Sequence, residues 1–267
     1  MSWKLFEGNC MEIMPKEIKD HSIDMILCDL PYGMTKCKWD SVIPFDLLWQ
    51  EYNRVIKENG AIILTGSQPF TTALINSNRE MFRYEWIWEK SRSTGFLNAK
   101  RMPLKNHENI LVFYKKLPTY NPVMTKGKPY VTTRKNDCRI YNTTKNKEYT
   151  TYNTGERYPK SVLKIKSESG KGLHPTQKPV KLFEYLIKTY TNEGDLILDN
   201  CAGSGTTGVA AELTGRNSIL IENESEYCKI IRKRLSEISI NDFTPMDSDL
   251  SLDMFMGGSK EKGALIV

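Results

Sequence analysis

Asp195-Leu196-Ile197-Leu198-Asp199-Asn200-Cys201-Ala202-Gly203-Ser204-Gly205-Thr206-Thr207-Gly208 organises the rest of the chain. Asp195 to Asp199 is an apolar run too short for a helix. The glycines after it mark a turn, so the run reads as a buried strand stopping at a loop. Thr206 to Leu213 then reads as a helix. Gly203, Gly205 and Gly208 fit G-x-G-x-x-G, and Glu222 closes the next strand, Ser218 to Glu222, 19 residues after Gly203. This is the layout of a nucleoside-cofactor site, in which backbone approaches the ligand at the glycines and the carboxylate takes ribose hydroxyls. A Walker loop fails because no G-K-[ST] follows. A structural turn whose glycines serve close packing is the competing reading.

Charge separates the candidate cofactors. A dinucleotide presents a pyrophosphate, which an acid at the loop's mouth repels. S-adenosylmethionine presents an ammonium and a sulfonium, which Asp199 attracts. S-adenosylmethionine is therefore preferred over NAD.

Outward from this loop, strands and helices alternate. Ile23 to Cys28 reads as a buried strand ending at Asp29-Leu30-Pro31-Tyr32-Gly33. Phe45 to Lys57 has helical spacing, Asn59-Gly60 reads as its left-handed stop, and Ala61 to Thr65 as a strand. Pro69 to Asn76 continues as helix, and Tyr84 to Trp88 and Ile110 to Tyr114 as strands. From Lys115 to Leu173 periodicity is poor. Val180 to Tyr190 is an amphipathic helix, and a last helix runs from Glu224 to Ile238. The pattern predicts an α/β fold: a doubly wound, mostly parallel, Rossmann-like sheet with an inserted region. Its boundaries fall at residues 1–116, 117–173 and 174–240, and 241–267 is expected to be a mobile tail.

With 39% apolar and 10% aromatic residues, the 267-residue chain can fill such a core. No run is long enough for a membrane span, and the N-terminus has no signal-peptide pattern. The six cysteines include no C-x-x-C pair, so no metal site is expected and the thiols are expected reduced, in the cytoplasm. Charge is segregated: 20 Lys and Arg against 5 Asp and Glu lie between Lys90 and Lys178, and 18 against 27 elsewhere. That imbalance suggests a polyanion-binding surface on an enzyme-like body. A solvated lysine-rich loop is the plainer alternative.

Asp29-Leu30-Pro31-Tyr32 ends its strand where such sheets present ligands. An exocyclic amine on a base is planar and a poor nucleophile. A carboxylate oxygen of Asp29 and a main-chain carbonyl can each accept one of its N–H groups, drawing the nitrogen toward tetrahedral geometry. Tyr32 offers a face on which an extruded base stacks, worth about 1–3 kcal/mol. Asp-x-Pro turns are also common structural features.

Taken together, these motifs resemble those of the S-adenosylmethionine-dependent DNA amino-methyltransferases that act on adenine N6 or cytosine N4. Asp29 to Tyr32 resembles the family's D-P-P-Y grip, with Leu30 for a proline. Asn200 to Gly205 resembles its F-x-G-x-G loop, with Asn200 where the aromatic usually stands and Cys201 after it. His174-Pro175-Thr176-Gln177-Lys178-Pro179 closely resembles its H-P-T-Q-K-P element; Thr176 and Lys178 offer a hydroxyl and a cation for the methionine carboxylate. Gly8-Asn9-Cys10 looks like its G-D-C, flanking the cofactor adenine, and His107-Glu108 and Trp86 to Lys90 also resemble family elements. For His107 a structural hydrogen bond is preferred over catalysis. The motif order, grip before cofactor loop with the basic insert between, is that of the beta arrangement, a circular permutation. The resemblance implies a catalytic half (1–116), a target-recognition insert (117–173) and a cofactor half (174–240). It puts Asp29, Leu30, Pro31 and Tyr32 in catalysis. It puts Asn9, Cys10, Asp29, His174, Thr176, Lys178, Asp199, Ala202, Gly203, Ser204, Gly205, Thr206, Thr207, Glu222 and Asn223 at the cofactor.

The insert interleaves tyrosines with cations. Lys126, Lys128, Arg134, Lys135, Arg139, Tyr141 and Arg157 are its candidate contacts to double-stranded DNA. Asp at the head of the grip suits adenine in the family, so adenine N6 of a flipped-out base is the expected target, within a restriction–modification system or a mobile element. Cytosine N4, an RNA or glutamine substrate, a dinucleotide oxidoreductase and a silent DNA-binding relative are the alternatives. A homodimer is left open.

Overall fold

The computed structural model describes residues 2–35, 37, 40–135, 148–167 and 177–238. The tail at 241–267, Arg139, Tyr141, His174 and Thr176 lie outside the described residues, as do the side chains of Arg134, Lys135 and Tyr149. The described residues form two compact units, one within residues 2–121 and 160–238 and the other within residues 122–159.

The first unit begins with β1 (Trp3–Glu7), α1 (Cys10–Glu17), β2 (Ile23–Cys28), α2 (Phe45–Val55), β3 (Ile56–Gly66), α3 (Phe70–Ser77), β4 (Phe82–Thr94) and β5 (Lys105–Phe113). The second unit contributes β6 (Thr125–Lys126), β7 (Tyr130–Lys135), β8 (Glu148–Asn153) and β9 (Glu156–Arg157). The first unit resumes with β10 (Val162–Lys164), α4 (Val180–Tyr190), β11 (Leu196–Asp199), α5 (Thr206–Leu213), β12 (Asn217–Glu222) and α6 (Ser225–Ser236).

Eight strands form one sheet in the order β1-β12-β11-β2-β3-β5-β4-β10. Pairing is parallel from β1 through β3, antiparallel on both sides of β5, and parallel again between β4 and β10. Central β2 is apolar on both faces, with Met25, Ile26, Leu27 and Cys28 fully buried, as a strand covered by helices on both sides requires. One layer packs Met14, Leu48, Tyr52 and Val55 against the sheet. Another packs Val209, Ile231 and Leu235 against Leu220. Because β11 inserts beside β2, with Leu198 opposite Ile26, the two loops singled out in the sequence emerge at neighbouring carboxyl ends. Ligands bind at that edge of open α/β sheets.

Three differences from the sequence reading have physical causes. Asn59-Gly60 does not stop α2 in a left-handed turn. The helix ends at Val55 and both residues lie inside β3, where the register slips from Ile23–Ile56 to Met25–Ala61. Gly60 is needed for space, since a Cβ there would sit 2.9 Å from the Asp24 carbonyl oxygen. β10 is only three residues long, so it gave no periodicity within the irregular segment, yet it completes the sheet's edge. β1 and α1 had no counterpart in the reading, because one is a short strand carrying Lys4 and Glu7 and the other an eight-residue helix interrupted by Pro15.

The second unit holds two small antiparallel pairs, β6–β9 and β7–β8. Thr133 and Thr150 share a hydroxyl hydrogen bond of 2.9 Å across β7–β8. The Arg157 guanidinium donates to Asn153 Oδ1 and to the Lys128 and Glu156 carbonyls, and lies 4.7 Å from the Tyr130 ring centroid. Tyr130, Val131, Tyr152 and Tyr158 are exposed.

Candidate active site

At the end of β2 the chain turns through Asp29-Leu30-Pro31-Tyr32. The turn is held from beyond by Asp40, whose carboxylate accepts the N–H groups of Gly33 (2.8 Å), Met34 (2.9 Å) and Thr35 (2.6 Å). Burial opposes the charge on Asp40, but these bonds and the Thr35 hydroxyl hold its carboxyl below the usual range. Leu30 packs into the core and Tyr32 stacks on Phe70, centroids 4.9 Å apart.

Asp29 is the centre of a polar cluster. The Tyr32 hydroxyl donates to Asp29 Oδ1 at 2.7 Å, and the Thr65 hydroxyl, from the end of β3, donates to the same oxygen. Lys178 Nζ donates to Asp29 Oδ2 at 2.6 Å and lies 3.3 Å from Glu108 Oε2. Lys90 Nζ in turn contacts Glu108 Oε1 at 3.1 Å. Burial alone pulls Lys178 toward neutrality, but the charges of Asp29 and Glu108 outweigh it and raise its pKa. Burial, then the charges of Asp29 and Glu108, push the Tyr32 phenol well up, so it stays a donor.

The glycine loop sits alongside. Gly203 and Gly205 have φ of 52° and 79°, a left-handed conformation that favours glycine. A Cβ on Gly205 would also come 2.9 Å from Ile231, and one on Gly208 2.6 Å from Leu220. The glycines thus serve close packing as well as the turn. Glu222 at the end of β12 accepts the N–H of Gly203 (2.7 Å) and of Glu224 (2.8 Å), and burial raises its pKa. Asp199 is buried, accepts the Cys201 N–H at 3.1 Å and the Thr207 hydroxyl, and burial pushes its carboxyl up to about 6. The Lys178 carbonyl accepts the Thr206 hydroxyl at 3.4 Å, tying the two parts together.

Both clusters open on one cavity of about 470 Å³, within the range of small-molecule sites. Of the residues proposed from sequence, Asp29, Leu30, Pro31, Tyr32, Lys178, Asp199, Ala202, Gly203, Ser204, Thr206, Glu222 and Asn223 line it. Asn9 and Cys10 do not. The Asn9 side chain caps α1 through the Met11 N–H at 2.9 Å, and Cys10 packs in the core. Thr207 is fully buried beneath the loop, and Gly205 is the turn that starts α5. Asn200 points inward: its Oδ1 accepts the Tyr52 hydroxyl at 2.7 Å and its Nδ2 faces the sulfurs of Cys10 and Cys201. It makes a core polar contact rather than an aromatic one with the cavity.

Thr65, Lys90, Glu108 and Asp40 were missed as site residues. Thr65 could have been found as the polar end of a buried strand at the ligand edge. At His107-Glu108 the imidazole is the more conspicuous group in sequence, yet the structure leaves His107 exposed and brings Glu108 to Lys178. In the second unit Lys126 and Lys128 are exposed, whereas Arg157 is engaged within its own unit.

A doubly wound sheet with a carboxylate–tyrosine grip and a glycine loop on one cavity defines a Rossmann-like methyltransferase. The chain belongs to the DNA methylase family of N6/N4 methyltransferases, which it matches over residues 23–233. It is 31% identical over 251 residues to the Type II methyltransferase M2.LlaDCHI of Lactococcus lactis subsp. cremoris, covering 83% of this chain and 85% of the relative. It is 30% identical over 246 residues to the DNA adenine methyltransferase YhdJ of Escherichia coli (strain K12), covering 84% and 80%. Among solved structures it resembles the M1.HpyAVI–SAM complex, at 26% identity and a TM-score of 0.61, covering 87% of this chain and 98% of the other. No helix among the described residues is long and apolar enough to cross a membrane.

Proposed function

We propose that this DNA methylase uses S-adenosylmethionine to methylate the N6 of an adenine flipped out of double-stranded DNA, at a specific site. The observation that carries the reading is the hydrogen-bonding state of Asp29. A carboxylate has about four acceptor positions. Tyr32 and Thr65 crowd Oδ1 and Lys178 takes one position on Oδ2, which leaves Oδ2 with room for one more donor. An exocyclic amine fits that position, with its second N–H on a main-chain carbonyl of the Leu30-Pro31 turn.

The cofactor fits the other half of the cavity. Asp199 supplies a negative charge, Glu222 keeps a lone pair beyond its bonds to the backbone of Gly203, Asn223 and Glu224 for a ribose hydroxyl, and Gly203 to Thr206 with Asn223 bring backbone close. When bound, S-adenosylmethionine supplies an electrophilic methyl group on a sulfonium. The chain's own residues do the rest. Asp29 aims the amine's lone pair, Lys178 holds that carboxylate in place, and Tyr32, backed by Phe70, stacks the base. On transfer the S–CH3 bond would break to leave a neutral thioether, and the nitrogen, now carrying the positive charge, would shed one proton, which Asp29 could accept.

Adenine is preferred because the grip begins with Asp, and because a relative of 30% identity is a DNA adenine methyltransferase. The second unit, with exposed Tyr152, Tyr158, Lys126 and Lys128, is assigned to DNA recognition. A DNA substrate puts the enzyme in the cytoplasm, as a monomer or a homodimer that sedimentation would distinguish.

The test is expression in a host without DNA methylation, followed by a genome-wide map of modified bases. N6-methyladenine at one recurrent motif is expected, and none with Asp29→Ala, although that variant should still bind S-adenosylmethionine. N4-methylcytosine would reassign the base. No modified base from the native chain would leave a silent DNA-binding relative.

A further inference from the structure

β4 continues beyond the body of the sheet, and its alternate residues Trp88, Lys90, Arg92 and Thr94 line the cavity. After Thr94 the chain turns at Gly95, φ 87°, into a short 3-10 turn at Phe96–Asn98 and returns with Lys105 opposite Thr94. The tip is folded on itself. Asn98 N donates to the Gly95 carbonyl (2.9 Å), Ala99 N to that of Phe96 (3.0 Å), and Arg101 and Met102 N to that of Asn98 (2.8 and 3.0 Å). It is a knob, and its apolar side chains point at water: Phe96 is 81% exposed and Leu97 99%. Met102 and Leu104 add to the same patch. Between Ser91 and His107 the sequence has 4 Lys and Arg and no Asp or Glu.

We propose that Phe96 and Leu97 form the wedge that enters the DNA stack where the target base leaves it. This rests on the reading of the enzyme as a base-flipping DNA methyltransferase. Extruding a base opens an apolar gap between its neighbours, and apolar side chains inserted at base steps fill such gaps. Arg92, Lys100 and Arg101 flank the wedge with cations suited to the adjoining phosphates. A tip whose formal charges between Ser91 and His107 are all cationic favours DNA over a second copy of this chain. The position is also apt. One strand runs from Lys90, joined through Glu108 and Lys178 to Asp29, to Thr94 at the base of the knob, four residues or about 13 Å at strand spacing. The strand that lines one wall of the cavity thus also carries the wedge.

The test compares Phe96→Ala/Leu97→Ala with the native enzyme on two duplexes carrying the mapped motif. One is fully paired, and the other has an abasic position opposite the target adenine. Both side chains are exposed, so folding should be intact, which thermal unfolding checks. On the paired duplex kcat/KM should fall about tenfold or more, and on the abasic duplex it should return to within about twofold of native, since extrusion is then cheap. Phe96→Leu should keep most of the activity on paired DNA. An equal loss on both duplexes, or no loss on paired DNA, overturns the wedge. So does normal methylation accompanied by a changed sedimentation coefficient or lost binding to anionic vesicles, which would give the patch to self-association or to lipid. If the native enzyme modifies neither duplex, the functional reading has failed rather than the wedge alone.

Discussion

Lys178 keeps its charge where water barely reaches, with a side-chain exposure of 7%, because two carboxylates face it. Removing one partner of such a buried pair costs about 3–5 kcal/mol, since the remaining charges are left uncompensated. Asp29 is partly exposed, so Lys178→Met should lie near the lower end, about 3 kcal/mol by urea denaturation, with methyl transfer lost as Asp29 and Glu108 repel. Asp199 gives a pH signature. Its carboxyl titrates at about 6 because burial disfavours the charge, and only the charged form attracts an ammonium. Affinity for S-adenosylmethionine should therefore rise with pH through about 6 and level off above, being roughly tenfold weaker at pH 5. Calorimetric titration at pH 5 and 7.5 checks this, and a flat profile would remove Asp199 from cofactor binding. That Asp199 and Glu222 would line the cavity was legible because each ends a strand, and Asp29 and Tyr32 because they lie in the turn that follows one. The Asp29–Lys178 pair was not, because its partners are 149 residues apart and only the sheet order joins them.

The glycine loop shows what an element demands of its residues. Gly205→Ala meets a left-handed backbone and Ile231 at 2.9 Å together, so it should cost about 1–3 kcal/mol in thermal or urea unfolding and weaken cofactor binding. Gly208→Ala should cost less, because the near atom is the tip of the Leu220 side chain, which can turn aside. Strands and helices with long apolar runs, such as β2 and α4, were legible to the residue or close to it. Asn59-Gly60 misled because the pair has two uses, and the turn chemistry that ends helices also suits a crowded bulge. β10 was hidden because three residues carry no period; its strand character comes from the edge of β4 beside it.

At the scale of the molecule the dominant feature is charge segregation, visible by counting residues. Neutralising exposed Lys126 and Lys128 together should weaken DNA binding and flatten its salt dependence by about 0.9 in the logarithmic slope for each phosphate that is no longer neutralised. An unchanged slope would mean that the second unit does not carry the DNA. Arg157→Ala should instead act on folding of that unit, since its guanidinium bridges the Lys128 and Asn153 segments. No count of charges could have told Arg157 from Lys126, because only the folded unit shows which cation is already engaged.

β1 pairs with β12, Leu5 opposite Leu220. On a ribosome adding about 5–20 residues per second, β1 emerges some tens of seconds or less before its partner exists, while chain collapse takes microseconds. During that interval Asp29 has been made and the glycine loop at Gly203–Gly205 has not. A chain that stops short of β11 therefore lacks one side of the cavity, which is complete only when β11 slots in against β2.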